Sequence, residues 1–230
     1  MSYLIETACL PLASYTDQYH LTLCQQGDLR QTRQRALLER FVHQRFAHTY
    51  GADVRHFMPQ LLGLWQQDEL QAVVGLRPAA QGPLFLEQYL DQRAEQQIAN
   101  SSLFSPQREQ LVEVGNMASL APGAARLLII ALTHYLMHNG YAWVVFTGTP
   151  MLLNTFQRLA LSPVNLGSAD PARLGEQQQE WGSYYATRPQ VMAGYIPEGL
   201  AQLEQRGLFQ RLGYQAQYPL AAREHQHDCA

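Results

Sequence analysis

The sequence predicts an α/β (α+β) protein whose single sheet is mixed and mostly antiparallel, with helices packed beside it. Two features predict this class. In the first half, two apolar runs surround a short polar turn, a pattern typical of an antiparallel hairpin. In the second half, the order strand, loop, helix, strand, helix is typical of a right-handed βαβ crossover, which requires a parallel pair.

Apolar spacing locates the elements of the first half. A helix over residues 30–50 is predicted because apolar side chains recur every three or four positions and Gly51 follows as a C-terminal stop. The hairpin consists of residues 61–65 and 70–77, and the segment 77–83 is a loop because it contains Pro and Gly. A second helix is predicted over 84–99. The apolar positions of the first helix are Leu37, Leu38, Phe41, Val42, Phe46 and Tyr50.

The second half carries the βαβ pattern. Residues 110–117 and 141–147 are predicted strands, and the helix between them ends at Asn139 and Gly140. Pro150 occupies the favoured first position of the next helix, which reaches about residue 160. The remaining predictions are a loop over 118–123, the connecting helix over 124–139, an aromatic loop over 181–185 and a polar helix over 197–213.

Size and charge limit the domain organisation and the partners. The 230 residues, of which 47% are hydrophobic, suit one domain over 1–215 followed by a polar, mobile tail over 216–230. The formal net charge of −3 provides no general basic field for nucleic acid or anionic lipid. We therefore expect no nucleic-acid partner.

The sequence also predicts a cytoplasmic location. The first 20 residues lack a basic segment ahead of their apolar residues, so we expect no secretory signal. The longest apolar stretch, near 127–132, is far shorter than the ~20 residues that a membrane-spanning helix needs. Cys9, Cys24 and Cys229 form no CxxC pair, and we interpret them as reduced thiols.

Several stretches resemble the bacterial family of thermostable haemolysins, and the order of elements resembles the GNAT (N-acetyltransferase) superfamily. The similarity to the haemolysins covers roughly residues 30–203. The stretches that carry it are Tyr50-Gly51-Ala52, Phe57-Met58-Pro59, the segment 84–90, Val112-Glu113-Val114-Gly115-Asn116, the segment 143–147, Asn154-Thr155-Phe156 and the segment 181–185.

A second similarity is to acyl-homoserine-lactone synthases. The segments 75–78 and 82–84 are similar to their Arg-containing strand and Pro-rich loop, and 112–114 is similar to their acidic strand. Those enzymes carry Ser-Arg soon after the acid, where this chain has Gly115 and Asn116, and their N-terminal acidic pair is not evident around Asp53. The similarity therefore favours the acyl-transfer scaffold more than the lactone chemistry.

The GNAT resemblance implies a donor site between two splayed parallel strands, 110–117 and 141–147. The thioester's pantetheine arm would pair with the backbone of one opened strand. The loop 118–125 and Arg126 would hold a phosphate at a helix N-terminus, or the loop is a plain connection. The chain lacks the Gly-rich pattern that usually binds the coenzyme A pyrophosphate in this superfamily. The resemblance therefore implies either acyl-CoA or acyl carrier protein as the donor, and it implies no permanently bound cofactor. The predicted donor-binding residues are Val114, Gly115, Met117, Ala118, Arg126, Thr147 and Asn154.

Three residues are candidates for catalysis. Glu113 lies inside an apolar strand, where burial would raise its pKa and suit a general base that takes a proton from an ammonium. The alternative is a structural salt bridge with Arg77 of the neighbouring strand, and both roles are compatible if the pair lines the acceptor pocket. Asn116 either contacts the thioester carbonyl region or caps the loop.

Other candidates would contact the substrates. Glu87 and Tyr89 are predicted beside the acceptor groove, with a structural role as the alternative. Trp181, Tyr184 and Tyr185 either form the roof of an acyl tunnel or belong to the core. We expect no metal site, because His134 and His138 share a helix face but have no third ligand.

These expectations lead to a main functional hypothesis and two alternatives. The main one is an N-acyltransferase that moves an acyl group from acyl-CoA or acyl carrier protein to a small, amino acid-like amine. One alternative is a haemolysin that acts on membranes directly or through an acylated product. Another is a GNAT-like domain that binds an acyl ligand without turnover. A homodimer through an exposed edge strand stays open.

Overall fold

A computed structural model describes residues 11–16, 18–102 and 106–218. One sheet of nine strands runs through this part of the chain in the order β7-β8-β6-β5-β4-β3-β2-β1-β9. The strands are β1 Pro11–Tyr15, β2 Tyr19–Gln25, β3 Gln60–Gln66, β4 Glu69–Pro78, β5 Leu111–Ser119, β6 Trp143–Gly148, β7 Val164–Ser168, β8 Gln190–Tyr195 and β9 Tyr214–Ala216.

The predicted mixed, mostly antiparallel sheet is confirmed. Among the described strands, β5 and β6 form the single parallel pair, and every other neighbouring pair is antiparallel. The helix α3 connects β5 to β6, as the βαβ pattern predicts. The described helices are α1 Thr32–Tyr50, α2 Ala94–Ser101, α3 Pro122–His138, α4 Pro150–Arg158, α5 Ile196–Gln205 and α6 Leu208–Arg211, with short 3-10 turns between them.

The sheet separates two layers of helices. Alternate residues of a strand point to opposite faces, and Val112 and Val114 pack with α3 while Leu111 packs with α2. The helices α3, α4 and α5 cover one face, here called the α3 face. The helices α1 and α2 cover the other, here called the α1 face. In the described part of the chain, no helix is long and apolar enough to cross a membrane.

The first helix and the hairpin agree with their predictions. The helix α1 ends at Gly51, whose φ of 64° is a left-handed conformation that glycine adopts at little cost. Leu38, Val42 and Phe46 of this helix are buried. Leu37 is 49% exposed, because it lies on the flank of the helix that faces away from the core.

The predicted helix over 84–99 is wrong. The structure has a 3-10 turn over Phe85–Tyr89, extended backbone at Leu90, and then the helix α2. Side chains replace the helical acceptors for four backbone amides of this segment: Glu113 takes two of them and Glu87 takes two. Tertiary contacts therefore override the apolar spacing that favoured one continuous helix.

The second half shows three further differences. The strand β5 continues to Ser119, so the predicted loop over 118–123 begins later and α3 starts at Pro122. The predicted helix over 197–213 is divided into α5 and α6 at Gly207, whose φ is 62°, and β9 follows. The aromatic loop over 181–185 falls in two 3-10 turns. The sequence patterns predicted none of the strands β1, β2, β7, β8 and β9.

The chain end is only partly described. Residues 214–216 form β9 beside β1, so the sheet extends to the predicted boundary between domain and tail. The Tyr218 hydroxyl lies 2.5 Å from Nδ1 of His134, on α3. The rest of the predicted tail lies outside the described residues, as do the first ten residues with Cys9, and Cys229.

Candidate active site

The parallel strands β5 and β6 pair over only part of their length. Their register joins residues 111–114 to residues 143–146. Beyond this point β5 continues to Ser119 and β6 to Gly148 with no pairing between them. The strand β5 therefore presents an edge of backbone donors and acceptors over residues 115–119 to the space between the two strands.

A β-bulge in β5 lies just beyond Val114, the last residue of this strand that pairs with β6. The register of β4 against β5 shifts between Val73 and Gly75, so that Asn116 and Met117 together lie opposite one residue of β4. Asn116 has a φ of 49°, a left-handed conformation that is costly for most side chains but tolerated by Asn. A bulge bends its strand, which accounts for the divergence of β5 from β6.

The side chain of Asn116 holds a neighbouring segment in place. Its Oδ1 accepts a hydrogen bond of 2.8 Å from the backbone amide of Met58, and its Nδ2 donates to the carbonyl of His56 at 3.3 Å. The Met58 side chain then lies against Gly75 and Gly115, where an added Cβ would come within 2.6 and 2.5 Å of it. Asn116 thus anchors the segment 56–58, a contact that the sequence did not predict.

A cavity of about 590 Å³ occupies the opening between the strands. Its wall on the α3 face is apolar and comes from α3, α4, β6 and the start of α5. Its wall on the α1 face mixes aromatic with charged side chains. The apolar wall includes Ala125, Ile129, Leu132, Leu136, Val144, Phe146, Leu152, Phe156 and Ile196; the mixed wall includes Arg45, Phe46, Tyr50, His56, Arg77, Phe85, Tyr89, Glu113, Glu180, Trp181 and Tyr184.

Glu113 is a nearly buried carboxyl group at the wall of this cavity. Its side chain is 2% exposed, and its two oxygens accept hydrogen bonds from the backbone amides of Phe85 (2.8 Å) and Leu86 (2.9 Å). Burial raises the pKa of Glu113, while the two amides and nearby Arg77 act in the opposite direction and offset part of that rise. A carboxylate has about four lone-pair positions, so each oxygen can accept one further hydrogen bond.

Arg77 lies directly opposite Glu113 on the neighbouring strand β4. No ion pair joins the two side chains among the described residues, so the predicted salt bridge is absent there. Nη1 of Arg77 donates a weak hydrogen bond of 3.5 Å to the carbonyl of Pro83. Its guanidinium therefore contributes a positive charge to the cavity wall near Glu113.

Glu87 belongs to a structural network outside the cavity lining. It accepts hydrogen bonds from the backbone amides of Leu84 and Ala94, and it pairs with Arg108, which also pairs with Glu95. Burial by itself would raise the pKa of Glu87, but the hydrogen bonds from Arg108 and the two amides outweigh it and hold the pKa below its ordinary value. This network fixes the 3-10 turn that donates to Glu113.

The aromatic candidates form one cluster on the α1 face. Trp181 contacts Phe46, Phe85 and Tyr184 with ring centroids 5.4 to 6.1 Å apart, and Trp181 and Tyr184 line the cavity. The hydroxyl of Tyr89, which also lines it, lies 2.5 Å from that of Tyr185. Burial raises the pKa of Tyr185 to about 12 and raises that of Tyr89 further. Tyr185 packs behind the lining.

The structure brings most of the predicted donor-binding residues to the cavity. Val114, Gly115, Met117, Ala118 and Thr147 line it. Arg126 and Asn154 are exposed and lie outside the lining.

The N-terminus of α3 offers few amides to a phosphate. Pro122 has no N–H group, and the amides of Ala124 and Ala125 already donate to the carbonyl of Ala121. A phosphate at this terminus would therefore find fewer free donors than the predicted loop site implied.

Several lining residues were not found from the sequence. Arg45, Thr49 and Tyr50 of α1, together with His56 and Glu180, reach the cavity from segments far apart in the chain. The sequence could have indicated Arg45, because it is a charged residue beside the apolar face of a predicted amphipathic helix. Thr49, His56 and Glu180 lie in no pattern that indicates a site.

Solved structures of acyl synthases share this fold. FeeM, an N-acyl amino acid synthase from uncultured soil microbes, is 15% identical, with a TM-score of 0.55 over 86% of this chain and 99% of that chain. The acyl-homoserine-lactone synthase LasI is 12% identical, with a TM-score of 0.56 over 77% of this chain and 90% of that chain. BjaI, a CoA-dependent acyl-homoserine-lactone synthase, is 15% identical, with a TM-score of 0.53 over 86% of this chain and 89% of that chain.

These likenesses define the fold. At such low identities they show the fold alone, which is the GNAT-like acyltransferase fold predicted from the sequence. The model of the thermostable hemolysin family matches residues 29–200, and the chain belongs to that family. No curated protein sequence matches the chain at a significant level.

Proposed function

We propose that this protein is an N-acyltransferase that moves an acyl group from a thioester to a small, amino acid-like amine. One observation carries the proposal: β5 and β6 separate after Val114 and Phe146, and a large cavity fills the opening from one face of the sheet to the other. A sheet opened in this way offers a linear thioester both unpaired backbone groups and a passage through the protein.

The free edge of β5 would hold the donor. A pantetheine arm carries two amides, which can pair with backbone groups of residues 115–119 as an added strand would. The donor would be acyl-CoA or an acylated carrier protein, since both present the same arm. No resident cofactor is needed, because the thioester itself is the activated group.

The two walls of the cavity suggest where the acyl chain and the amine lie. An acyl chain is stabilised by removal from water, which favours the apolar wall formed by α3, β6 and α5. A charged amine is stabilised by charged and polar partners, and the charged side chains that line the cavity lie on the wall of the α1 face. The reacting carbonyl would then lie at the opening of the sheet, beside Glu113 and the bulge at Asn116.

Glu113 would act as the general base in this reaction. The acceptor enters as an ammonium ion and loses one proton to Glu113, directly or through a water molecule. The neutral amine attacks the thioester carbonyl, the carbon–sulfur bond breaks, and the second amine proton leaves with the sulfur as a thiol. A carboxyl group with a raised pKa suits this step, because its proton affinity is closer to that of the ammonium than an exposed carboxylate's is.

Free-thiol release tests the proposal. The purified full-length chain would be mixed with acyl-CoA and acyl-carrier thioesters of several chain lengths and with a panel of amines, and thiol and amide products would be measured by mass spectrometry. We expect thiol release that depends on the amine, and a loss of about 10²-fold or more in kcat for Glu113→Gln.

The other outcomes separate the alternatives. Binding of thioesters without amine-dependent release would support a non-catalytic ligand-binding domain. Lysis of red cells by protein free of thioester and amine would support direct action on membranes. Either result, without turnover, would refute the acyltransferase proposal.

A further inference from the structure

Arg45 is a partly buried arginine whose charge has no partner among the residues that the structure describes. It lies on α1 and lines the cavity on the α1 face. Its Nε is buried without a hydrogen-bond partner, and it is the sole side-chain polar atom in that condition among the described residues. Within the same residues, no hydrogen bond or ion pair reaches its guanidinium, including from Glu180, which also lines the cavity.

Two other arginines that are buried or partly buried have several partners. Arg35 donates to Glu39 and to the carbonyls of Met58 and Pro59. Arg108 donates to two carboxylates and to two backbone carbonyls. Partly buried Arg77 keeps one hydrogen bond of 3.5 Å, whereas Arg45 has none within the described part of the chain.

A buried, unpartnered N–H group lowers stability, because the group has lost its bonds to water and gained none in return. Because Arg45 lines the cavity, a ligand bound there can approach its guanidinium and supply a partner for the charge. Arginine binds carboxylates and phosphates through two parallel hydrogen bonds, and its two terminal nitrogens can form such a pair while Nε stays buried. The missing partner is thus expected to be an oxyanion on a bound molecule.

The location of Arg45 distinguishes between the two oxyanions that a substrate pair would bring. The apolar wall that would take the donor's acyl chain belongs to the α3 face, on the opposite side of the sheet from α1. Arg45 lies on the α1 face, where the polar cavity wall would receive the acceptor. A carboxylate on the acceptor is the oxyanion that this geometry favours.

We propose that Arg45 binds the carboxylate of the acceptor, so that the acceptor is an amino acid and not a simple amine. This inference rests on the proposed acyl transfer and adds the residue that recognises the acid group. Binding of the carboxylate at Arg45 holds the amine at a fixed distance from the opening of the sheet. An acceptor that lacks the acid group would leave the guanidinium unpartnered, and the site would discriminate against it.

Kinetics with matched acceptors test the inference. Each amino acid would be compared with its decarboxylated amine and its methyl ester, using wild type, Arg45→Met, Arg45→Lys and the control Arg40→Met, which removes an exposed arginine from the same helix. We expect wild type to favour the acid by at least about tenfold in kcat/KM, and Arg45→Met to lose that preference while its KM for the thioester stays unchanged. Arg45→Lys should keep part of the preference, and Arg40→Met should keep all of it.

A binding measurement separates failure of this inference from failure of the proposed reaction. The long-chain N-acyl amino acid and its methyl ester would be titrated into each variant, with binding followed by calorimetry. Tighter binding of the acid by wild type, lost in Arg45→Met, supports the carboxylate site even if turnover is absent. If wild type binds the N-acyl amino acid and its methyl ester equally, or binds neither, the carboxylate site at Arg45 is overturned. A rise in the thioester KM of Arg45→Met with acceptor preference intact would assign Arg45 to the donor's phosphate and also overturn it.

Discussion

At the scale of single residues, Glu113 combines a structural role with a candidate catalytic one. Its two oxygens accept hydrogen bonds from the amides of Phe85 and Leu86, and the residue lines the cavity. A carboxyl group in this position fixes the 3-10 turn beside the site while keeping a raised pKa. The two roles can be separated by the dependence of stability on pH.

We expect Glu113→Gln to be destabilised by about 1–3 kcal/mol near pH 4, because its amide NH2 group faces a backbone N–H that then has no acceptor. The folded-state pKa of Glu113 lies above its ordinary value of 4.5, so the stabilising contribution is complete below that value and is lost as the pH rises through the folded-state pKa. The difference in unfolding free energy between wild type and Glu113→Gln should therefore shrink as the pH rises. Urea unfolding of both proteins from pH 4 upward measures this. A deficit that grows with pH would mean that the amides and Arg77 lower the pKa instead.

Arg108 provides a second test at this scale. Its side chain is 15% exposed and pairs with Glu87 and Glu95, which are similarly buried. Arg108→Met should lower the free energy of unfolding by about 3 kcal/mol, because it leaves two partly buried carboxylates without a cation. The matched control is Arg30→Met, which breaks an exposed pair with Asp28 and should leave stability unchanged. Urea unfolding near pH 7 measures the loss of unfolding free energy in both variants. Equal losses would contradict the structural role given to the ion pairs of Arg108.

At the scale of elements, the bulge in β5 determines where the sheet opens. Asn116 supplies a left-handed backbone and two hydrogen bonds to the segment 56–58. The Met58 side chain can pack closely over β4 and β5 because Gly75 and Gly115 have no side chains. The position of one wall of the cavity thus depends on the conformation of a single strand residue.

Substitution of Asn116 by Gly and by Ala separates these contributions. Both variants lose the two hydrogen bonds, but Gly adopts the positive φ readily and Ala does not. We expect Asn116→Ala to be less stable than Asn116→Gly by about 1 kcal/mol, and both to be less stable than wild type. Chemical denaturation of the three proteins provides the measurement. An Ala variant as stable as the Gly variant would show that the bulge relaxes without strain.

At the scale of the whole molecule, the cavity joins the two helical layers through the sheet. Its apolar wall belongs to the α3 face and its charged wall to the α1 face. The proposed reaction needs both, since the acyl chain and the amine approach the same carbonyl from environments of opposite polarity. The division of the cavity therefore predicts that acyl-chain length is selected by residues on the opposite face of the sheet from the charged groups.

Val144 tests this division. It lies on β6, is only partly buried, and faces α3 across the cavity. Val144→Phe should shorten the space for the chain and lower kcat/KM for the longest accepted acyl group by about tenfold or more, with short acyl groups unaffected. Val144→Ala should accept equal or longer chains. Thioesters of graded length measure the change, and a uniform loss over all lengths in Val144→Phe would place the acyl chain elsewhere.

The sequence by itself determined the class of the fold and the position of the opened strand pair. Periodicity located α1, the hairpin and the βαβ unit, because each buries one regular face that a local pattern records. It also singled out Glu113, since a charged residue inside an apolar strand must have a special environment. The short strands β7 and β9, with their polar and glycine residues, left no comparable pattern.

The tertiary structure alone decided which residues surround the cavity and what each one contacts. It showed that Glu113 is held by backbone amides of the 3-10 turn and forms no ion pair with Arg77. It also showed that Asn116 anchors the segment 56–58 and that Arg45 lines the cavity with no partner among the described residues. The physical reason is that a local pattern reports which face of an element is buried. The partner of a buried polar group comes from a distant segment, and only the packing of the whole chain brings the two together.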